Sequence, residues 1–117
     1  MKITLSEEFT FEAAHLIRKS RNEYGEIHGH SHRVFVTISG EPDPAFGWIL
    51  EQSEFRGICD RVISQLDHRF LNEIMEQTTA EAIAVHLFKL IDKNLPGRVT
   101  LEKVGVGKTS TMAVVTR

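Results

Sequence analysis

Three histidines stand at the ends of two predicted strands, in a pattern that suits a divalent metal. His28 and His30 flank Gly29 at the start of a strand predicted over residues 28–39, and alternate residues of a strand point to the same side. His15 ends the strand predicted over residues 2–15. Three neutral imidazoles and one open coordination position are typical of a catalytic zinc site. The sequence therefore predicts one bound metal ion, zinc, that acts on a small molecule.

His32 is the alternative third ligand. It continues the even register of His28 and His30, but three rings in a row along one flat strand are spread too far apart to share an ion. We therefore rank His32 below His15. The His-Gly-His motif alone is also compatible with ordinary histidines at a strand end that bind no metal.

Alternating apolar residues define the elements that must position these histidines. Period-two alternation predicts the two strands above, with a bulge or bend near Glu7–Glu8. Two more strands are predicted over residues 98–104 and 110–116, joined across Gly105 and Gly107.

Two helices are predicted between these pairs of strands. Ser53 is the predicted cap of a helix that runs to about Leu66, because apolar residues there recur at helical spacing. The segment from Thr78 to Glu81 has the form of a capping box that opens the second helix. The order β-β-α-α-β-β predicts an α+β fold, in which two helices cover one face of a four-stranded antiparallel sheet.

Composition narrows the class of protein. A chain of 117 residues fits one domain, residues 1–117. Its net charge of -2 gives no indication of a nucleic-acid or membrane partner. Cys59 is the only cysteine and no stretch has the length of a membrane span, so we expect a soluble cytoplasmic protein. A short basic cluster, Arg18, Lys19 and Arg21, has the charge to contact a phosphate.

Several motifs along the chain resemble one enzyme family. The run Phe11 to His15 followed by His28-Gly29-His30 resembles the metal signature of 6-pyruvoyl- and 6-carboxy-tetrahydropterin synthases. Residues 66–72, LDHRFLN, resemble the family's LDH-x-x-LN motif, and residues 78–81, TTAE, resemble its threonine-rich helix start. Residues 99–102, VTLE, resemble the strand that carries its pterin-anchoring glutamate. The motifs follow the family's order and span nearly the whole chain.

The resemblance implies a T-fold, zinc on His15, His28 and His30, and a dihydropterin substrate, usually dihydroneopterin triphosphate. It assigns hydrogen bonds with the pterin to Glu102, with Thr78 and Thr79 nearby. It also implies a homohexamer of two stacked trimeric barrels, in which neighbouring chains share pockets.

The acid–base group that the resemblance implies is His68, oriented by Asp67. A histidine oriented by a carboxylate transfers protons near neutral pH. A solvated pair at a helix end is the alternative interpretation of these two residues.

The catalytic cysteine of the two standard activities is missing. Its place, four residues before the first histidine of the motif, is taken by Tyr24. Cys59 falls on the apolar stripe of a predicted helix, as a core residue would. A subgroup of the family uses a loop glutamate to cleave the pterin side chain in an aldolase-like way. Glu26, or else Glu23, is the candidate here, although both also read as solvated loop charges.

Three functional hypotheses follow. The leading one is a zinc-dependent pterin lyase or synthase, acting on dihydroneopterin triphosphate or a close relative with altered chemistry. The second is 6-carboxy-tetrahydropterin synthase on the route to deazapurines, with another group replacing the cysteine. The third is a paralogue that binds pterin or metal without turnover.

Overall fold

Five strands form one mixed sheet in the order β3-β1-β2-β4-β5. The computed structural model describes residues 1–20, 23–108 and 110–117. In chain order the elements are β1 (Ile3–His15), β2 (His28–Gly40), α1 (Gln52–Ile63), β3 (Arg69–Phe70), a 3-10 turn (Leu71–Glu73), α2 (Ala80–Asn94), β4 (Val99–Gly107) and β5 (Met112–Thr116).

The prediction of four antiparallel strands was wrong, because β3 joins the sheet edge in parallel with β1. Arg69 and Phe70 pair with Ala13 and Ala14. A strand of two residues has no alternation for the sequence to reveal. The α+β class and the placing of both helices against one face of the sheet are as predicted.

Gly105 and Gly107, which were predicted to lie in the connection between the last two strands, belong to β4 and pack against β5. β4 continues through Gly105 to Gly107. A Cβ on Gly107 would lie 2.0 Å from the carbonyl oxygen of Thr111, and one on Gly105 would lie 2.8 Å from Sδ of Met112. These glycines therefore allow close approach of two strands, which glycine inside a strand often marks.

The register irregularity also lies elsewhere than predicted. Glu7 and Glu8 pair with Val36 and Phe35 in regular antiparallel register with β2. The irregularity instead falls between Thr37 and Ile38, where β2 pairs with β4. One β4 residue has no partner there: Glu102 lies between the partners Leu101 and Lys103.

Each helix has a different cap from the predicted one: the α1 cap lies two residues earlier, and the α2 cap lies one residue later. Glu51, rather than Ser53, caps α1, because its carboxylate accepts a hydrogen bond from the backbone N–H of Glu54 at 3.1 Å. Thr79, rather than Thr78, caps α2 by accepting from the N–H of Ala82 at 3.1 Å. The polar residue nearest the first free N–H groups becomes the cap, and neighbouring threonines are hard to separate by pattern alone.

One apolar core lies between the sheet and the helices. β1 contributes Phe9, Phe11 and Ala13, and the two helices contribute, among others, Phe55, Cys59, Ile83 and Leu87. This burial holds the strand ends that carry the histidines against the start of α2. None of the described helices has the length and apolar character needed to cross a membrane.

Candidate metal centre and active site

Three ring nitrogens converge where β1 ends and β2 begins. His15 pairs with His28 across the two strands, and His30 pairs with Ala13. One ring nitrogen from each of His15, His28 and His30 lies within 4.8 Å of the other two. The two nearest, Nε2 of His15 and Nε2 of His30, are 2.9 Å apart. The structure thus brings together the three histidines that the sequence selected.

Each ring is oriented by a backbone carbonyl behind it. Nδ1 of His15 contacts the carbonyl of Thr78 at 2.8 Å, Nδ1 of His28 that of Glu26 at 3.2 Å, and Nδ1 of His30 that of Ser31 at 3.1 Å. A carbonyl only accepts, so each Nδ1 carries the proton and donates it. In the neutral rings, Nε2 is then left with its lone pair, as a metal ligand requires.

The electrostatics of the cluster favour a cation. Burial lowers the pKa of both His15 and His30 below the ordinary value of 6.5, so both rings are neutral at pH 7. Two lone pairs facing each other at 2.9 Å repel unless a cation lies between them. The geometry and the tautomers therefore fit a divalent metal held by three imidazoles.

His32 stands behind this cluster and stays outside the group of converging nitrogens. Its ring stacks on Phe11, with centroids 4.7 Å apart, and lies 3.9 Å from the ring of His30. It is 3% exposed. Burial, aided by the neighbouring histidines, lowers its pKa to about 3. Nε2 of His32 is buried without a hydrogen-bond partner among the described residues.

Asp67 and His68 form an oriented pair. Nδ1 of His68 lies 2.9 Å from Oδ2 of Asp67, whose Oδ1 accepts from the backbone N–H of Glu12 at 2.9 Å. The Glu12 N–H and the His68 ring hold the pKa of the Asp67 carboxyl below its usual value. The carboxylate therefore stays ionised and fixes the imidazole, which is the arrangement of a general acid–base pair.

His68 has an unusual backbone conformation. Its φ is +59°, and its N–H donates to the carbonyl of Glu12 at 2.6 Å. Non-glycine residues rarely adopt this region, and those that do cluster at functional sites. His68 and His30 line the same cleft, of about 510 Å³, so within one chain the pair already borders the histidine cluster.

The loop before β2 carries Tyr24 and Glu26. Both side chains are exposed and line, with Lys19 and His28, a cleft of about 580 Å³. Glu26 thus borders the cluster. Its backbone carbonyl has a second role, the orientation of His28, and sequence reasoning had no signal for that role.

Cys59 lies far from this loop, fully buried on α1. Burial raises the pKa of its thiol to about 12. A thiol so placed and so weakly acidic does not act as a base or nucleophile.

Thr78 and Thr79 are both engaged within the chain. The hydroxyl of Thr78 donates to the carbonyl of Leu16 at 2.9 Å, and its own carbonyl orients His15. The hydroxyl of Thr79 caps α2. The structure therefore gives Thr78 a supporting role for a metal ligand, and its assignment to the substrate stays a prediction.

Glu102 lies at the other end of the sheet. Its carboxylate accepts from Ser39 at 2.6 Å and pairs with Lys2 at 2.9 Å, and these partners lower its pKa. On β2, the level of Glu102 is that of Thr37, seven residues beyond His30 and therefore about 23 Å away at 3.3 Å per residue. One chain does not bring Glu102 and the histidines to the same small molecule.

The basic cluster is only partly described. Arg18 pairs with Glu76 at 2.5 Å, and Lys19 lies exposed beside Tyr24. Arg21 lies outside the described residues.

Comparison with known proteins places these features in a family. The family model described as 6-pyruvoyl tetrahydropterin synthase matches residues 4–117. The chain belongs to this family. The resemblance read from the motifs is thereby confirmed, and so is the prediction of an enzyme.

The relatives within the family are named for different activities. The chain is 35% identical over 106 residues to a dihydroneopterin monophosphate aldolase of Pyrococcus furiosus, covering 91% of this chain and 90% of the relative. It is 33% identical over 114 residues to a 6-carboxy-5,6,7,8-tetrahydropterin synthase of Synechocystis, covering 91% and 86%. The 6-pyruvoyl tetrahydropterin synthase of Caenorhabditis elegans superposes with a TM-score of 0.89 at 21% identity, over 100% of this chain and 96% of that one.

Proposed function

We propose that the protein is a zinc-dependent lyase that cleaves the side chain of a dihydroneopterin phosphate. His15, His28 and His30 would hold the zinc through Nε2. Three neutral imidazoles suit zinc better than magnesium or calcium, which prefer oxygen ligands. When bound, zinc supplies Lewis acidity that makes the neighbouring side-chain hydroxyls more acidic.

The proposed reaction is a retro-aldol cleavage. The bond between the first and second side-chain carbons breaks after the hydroxyl on the second carbon loses its proton, and the second and third carbons leave together as glycolaldehyde phosphate. The electron pair stays on the first carbon, delocalised into the C=N bond of the dihydropterin ring. A proton added to that carbon gives 6-hydroxymethyl-dihydropterin, so that no oxidant or reductant is needed.

Two groups of this chain are our candidates for these proton transfers. Glu26 borders His28 from the loop side, and His68, oriented by Asp67, borders His30 from the β3 side. A carboxylate is a base at neutral pH without activation, and an imidazole serves as either acid or base there. We assign proton removal and return to these two groups.

The observation that carries the proposal is the convergence of three imidazoles beside a loop that contains a glutamate, with the chain's only thiol buried in the core. The 35% identity to an aldolase over nine-tenths of both chains supports the same chemistry and suggests the monophosphate as substrate.

We further propose that the site is completed in a homohexamer. The separation of Glu102 from the histidines means that any pterin anchored by Glu102 must meet the histidine cluster of another chain. Closed symmetric assembly also covers the edge strands of the sheet, which are otherwise open to further pairing. A monodisperse monomer at micromolar concentration would contradict this part of the proposal.

The second candidate function is 6-carboxy-tetrahydropterin synthesis, which the 33% identity to the Synechocystis enzyme favours. It requires another group to do the work of the missing cysteine, and Tyr24 is a weak substitute because a phenol has a reference pKa near 10, against about 8.5 for a thiol.

Product analysis separates the two. The zinc-loaded protein is incubated with dihydroneopterin monophosphate and, separately, with the triphosphate, and the products are identified by mass. We expect 6-hydroxymethyl-dihydropterin from at least one of them. Formation of 6-carboxy-tetrahydropterin that survives Glu26→Gln and Glu23→Gln would establish the second function instead, and tight pterin binding without product would indicate a non-catalytic paralogue.

A further inference from the structure

A cavity beside the histidine cluster has no part in the proton transfers above. Its volume is about 250 Å³, against about 30 Å³ for a water molecule in the liquid. It is bordered by His15 and His30 on one side and by His32, Ala80, Lys108 and Thr111 on the others. We call it the Lys108 cavity.

We infer that the Lys108 cavity is an anion subsite that holds the phosphate group of a phosphate-ester substrate. This assignment deepens the function proposed above and rests on it for the identity of the ester. The anion-binding property itself rests on the residues that border the cavity.

The start of α2 provides the first contribution. Ala80, its first residue, borders the cavity. The N–H of Ala82 is capped by Thr79, and the N–H of Ile83 donates to the carbonyl of Thr79. The N–H groups of Ala80 and Glu81 have no acceptor inside the helix, and the positive end of a helix of 15 residues favours an anion.

Lys108 provides the second contribution. It forms no ion pair with any residue in the described part of the chain. Its charge reaches the neighbouring rings: burial is the main cause of the lowered pKa of His15, His30 and His32, and Lys108 lowers all three further. No described residue that borders the cavity is acidic.

His32 is the third and independent contribution. It is 3% exposed and leaves a buried ring nitrogen without a partner among the described residues. Such a nitrogen is costly to bury unless a partner arrives. A phosphate satisfies it in either tautomer, because the nitrogen accepts from a P–O–H group or donates to a phosphoryl oxygen. Thr111, on the β5 side, adds a hydroxyl that donates to the same anion.

The charged groups around the cavity are all positive. With a dication on the three histidines, that ion, the Lys108 ammonium and the helix N-terminus would repel one another until an anion enters, because no described residue that borders the cavity is acidic. The substrate proposed above carries its phosphate on the third side-chain carbon, which is bonded to the second carbon of the bond that breaks, so a phosphate bound here stays close to that bond. Water alone would leave the positive charges uncompensated.

The first test titrates the zinc-loaded protein with inorganic phosphate and measures binding by isothermal titration calorimetry. The matched variants are Lys108→Ala and Lys103→Ala. Lys103 is an exposed lysine of β4, the strand that ends just before Lys108, and it lies on the opposite face of the sheet, where it borders a different cavity with Phe35 and Met112. We expect Lys108→Ala to weaken phosphate binding by about tenfold or more and Lys103→Ala to change it by less than about twofold. Zinc content should stay the same in both.

His32→Phe tests the buried nitrogen separately. Phenylalanine keeps the stack on Phe11 and removes the nitrogen, so phosphate affinity should fall several-fold with no loss of zinc. Equal phosphate affinity in the parent, Lys108→Ala and His32→Phe, or an equal loss in Lys103→Ala, would overturn the subsite. Absence of saturable phosphate binding in the parent would overturn it as well.

A kinetic comparison links the subsite to the proposed reaction. With dihydroneopterin monophosphate, Lys108→Ala should raise KM by about tenfold or more, whereas KM for unphosphorylated dihydroneopterin should not change. An equal rise of KM for both would contradict the assignment to the phosphate. If neither compound is turned over, the proposed lyase function fails, and the phosphate titration still decides the subsite.

Discussion

The polar groups beside the two ends of β2 have different partners. At its start, His28 and His30 direct unpartnered Nε2 lone pairs towards His15, while carbonyls fix the far side of each ring. Near its end, the Glu102 carboxylate is already satisfied by Ser39 and Lys2. One end of β2 thus borders ring nitrogens that suit a cation, and the other end borders a carboxylate whose partners come from its own chain.

This difference indicates which part of the site a single chain prepares. Fixed tautomers and converging lone pairs are preorganised for a metal before any metal arrives. In the proposed assembly, the Glu102 carboxylate would exchange Lys2 or Ser39 for pterin N–H groups beside the histidines of another chain. On that proposal, a single chain prepares the metal end and the assembly completes the pterin end.

Loss of the histidines should break the metal end completely. The double variant His28→Ala, His30→Ala leaves His15 alone, and one imidazole does not retain zinc through purification. We expect metal content to fall from about one zinc per chain to nearly none, with unchanged secondary structure, because both side chains lie outside the apolar core. The measurement is elemental analysis together with circular dichroism.

The control for that experiment is His86→Ala, which removes a half-buried histidine of α2 outside the cluster. It should keep its zinc. Unchanged metal content in the double variant would remove the site from these residues altogether.

His68 should have the next largest effect, on rate alone. Replacement by Gln keeps a polar side chain but removes the titrating group, and loss of general acid–base catalysis typically costs about 10²- to 10⁴-fold in kcat. Zinc content and pterin affinity should not change, since His68 is not among the converging nitrogens. If His68→Gln turned over at the parent rate, the Asp67–His68 pair would be a structural turn.

Variants of Glu26 and Tyr24 distinguish proton transfer by a loop carboxylate from proton transfer by a loop phenol. Glu26→Gln keeps the backbone carbonyl that orients His28 and removes only the carboxylate, so a fall of about 10²-fold in kcat would report proton transfer and not loss of metal. Tyr24→Phe should lower kcat by less, because a phenol is mostly protonated at neutral pH. The reverse order of effects would favour a phenol in the place of the missing thiol.

Glu102 should affect binding more than rate, and only through the assembly. Glu102→Gln leaves pterin N–H groups poorly paired in a sheltered site, which typically costs about 1–3 kcal/mol, so pterin affinity should fall by at least about tenfold at unchanged zinc content. Glu41→Gln is the control, because Glu41 is an exposed carboxylate that pairs with the N-terminus and lies outside the proposed site. Equal pterin affinity in Glu102→Gln and the parent would remove Glu102 from the site.

Mixing variants tests the shared site directly. If Glu102 serves the histidines of a neighbour, co-assembled Glu102→Gln and His28→Ala, His30→Ala chains restore about one quarter of the parent's sites, since each site draws its two halves independently. If both halves came from one chain, mixing would restore nothing. Activity measured after joint refolding distinguishes the two.

The sequence revealed features that repeat and missed those that depend on other parts of the chain. The alternation in β1 and β2 and the spacing of His28 and His30 were sufficient to place the metal cluster. The two residues of β3 and the carbonyls behind each imidazole leave no pattern, because backbone groups are the same at every residue. The sequence predicted a turn at Gly105 and Gly107, but in the structure these glycines allow β5 to approach β4. The two roles are distinguished only by the position of β5, which the sequence pattern does not give.

Cys59 should show the smallest effect of all. Its thiol is fully buried on α1 and its pKa is raised to about 12, so at pH 8 only about one thiol in 10⁴ is ionised, and that one is shielded from solvent. Cys59→Ala should therefore change turnover by less than about twofold, while the small cavity it leaves lowers the free energy of unfolding by about 1 kcal/mol. In the folded parent, iodoacetamide should label Cys59 slowly and without inhibition, and labelling should become fast only after denaturation. Rapid labelling of the folded protein with parallel loss of activity would place a reactive thiol at the site and return the standard synthase chemistry to this chain.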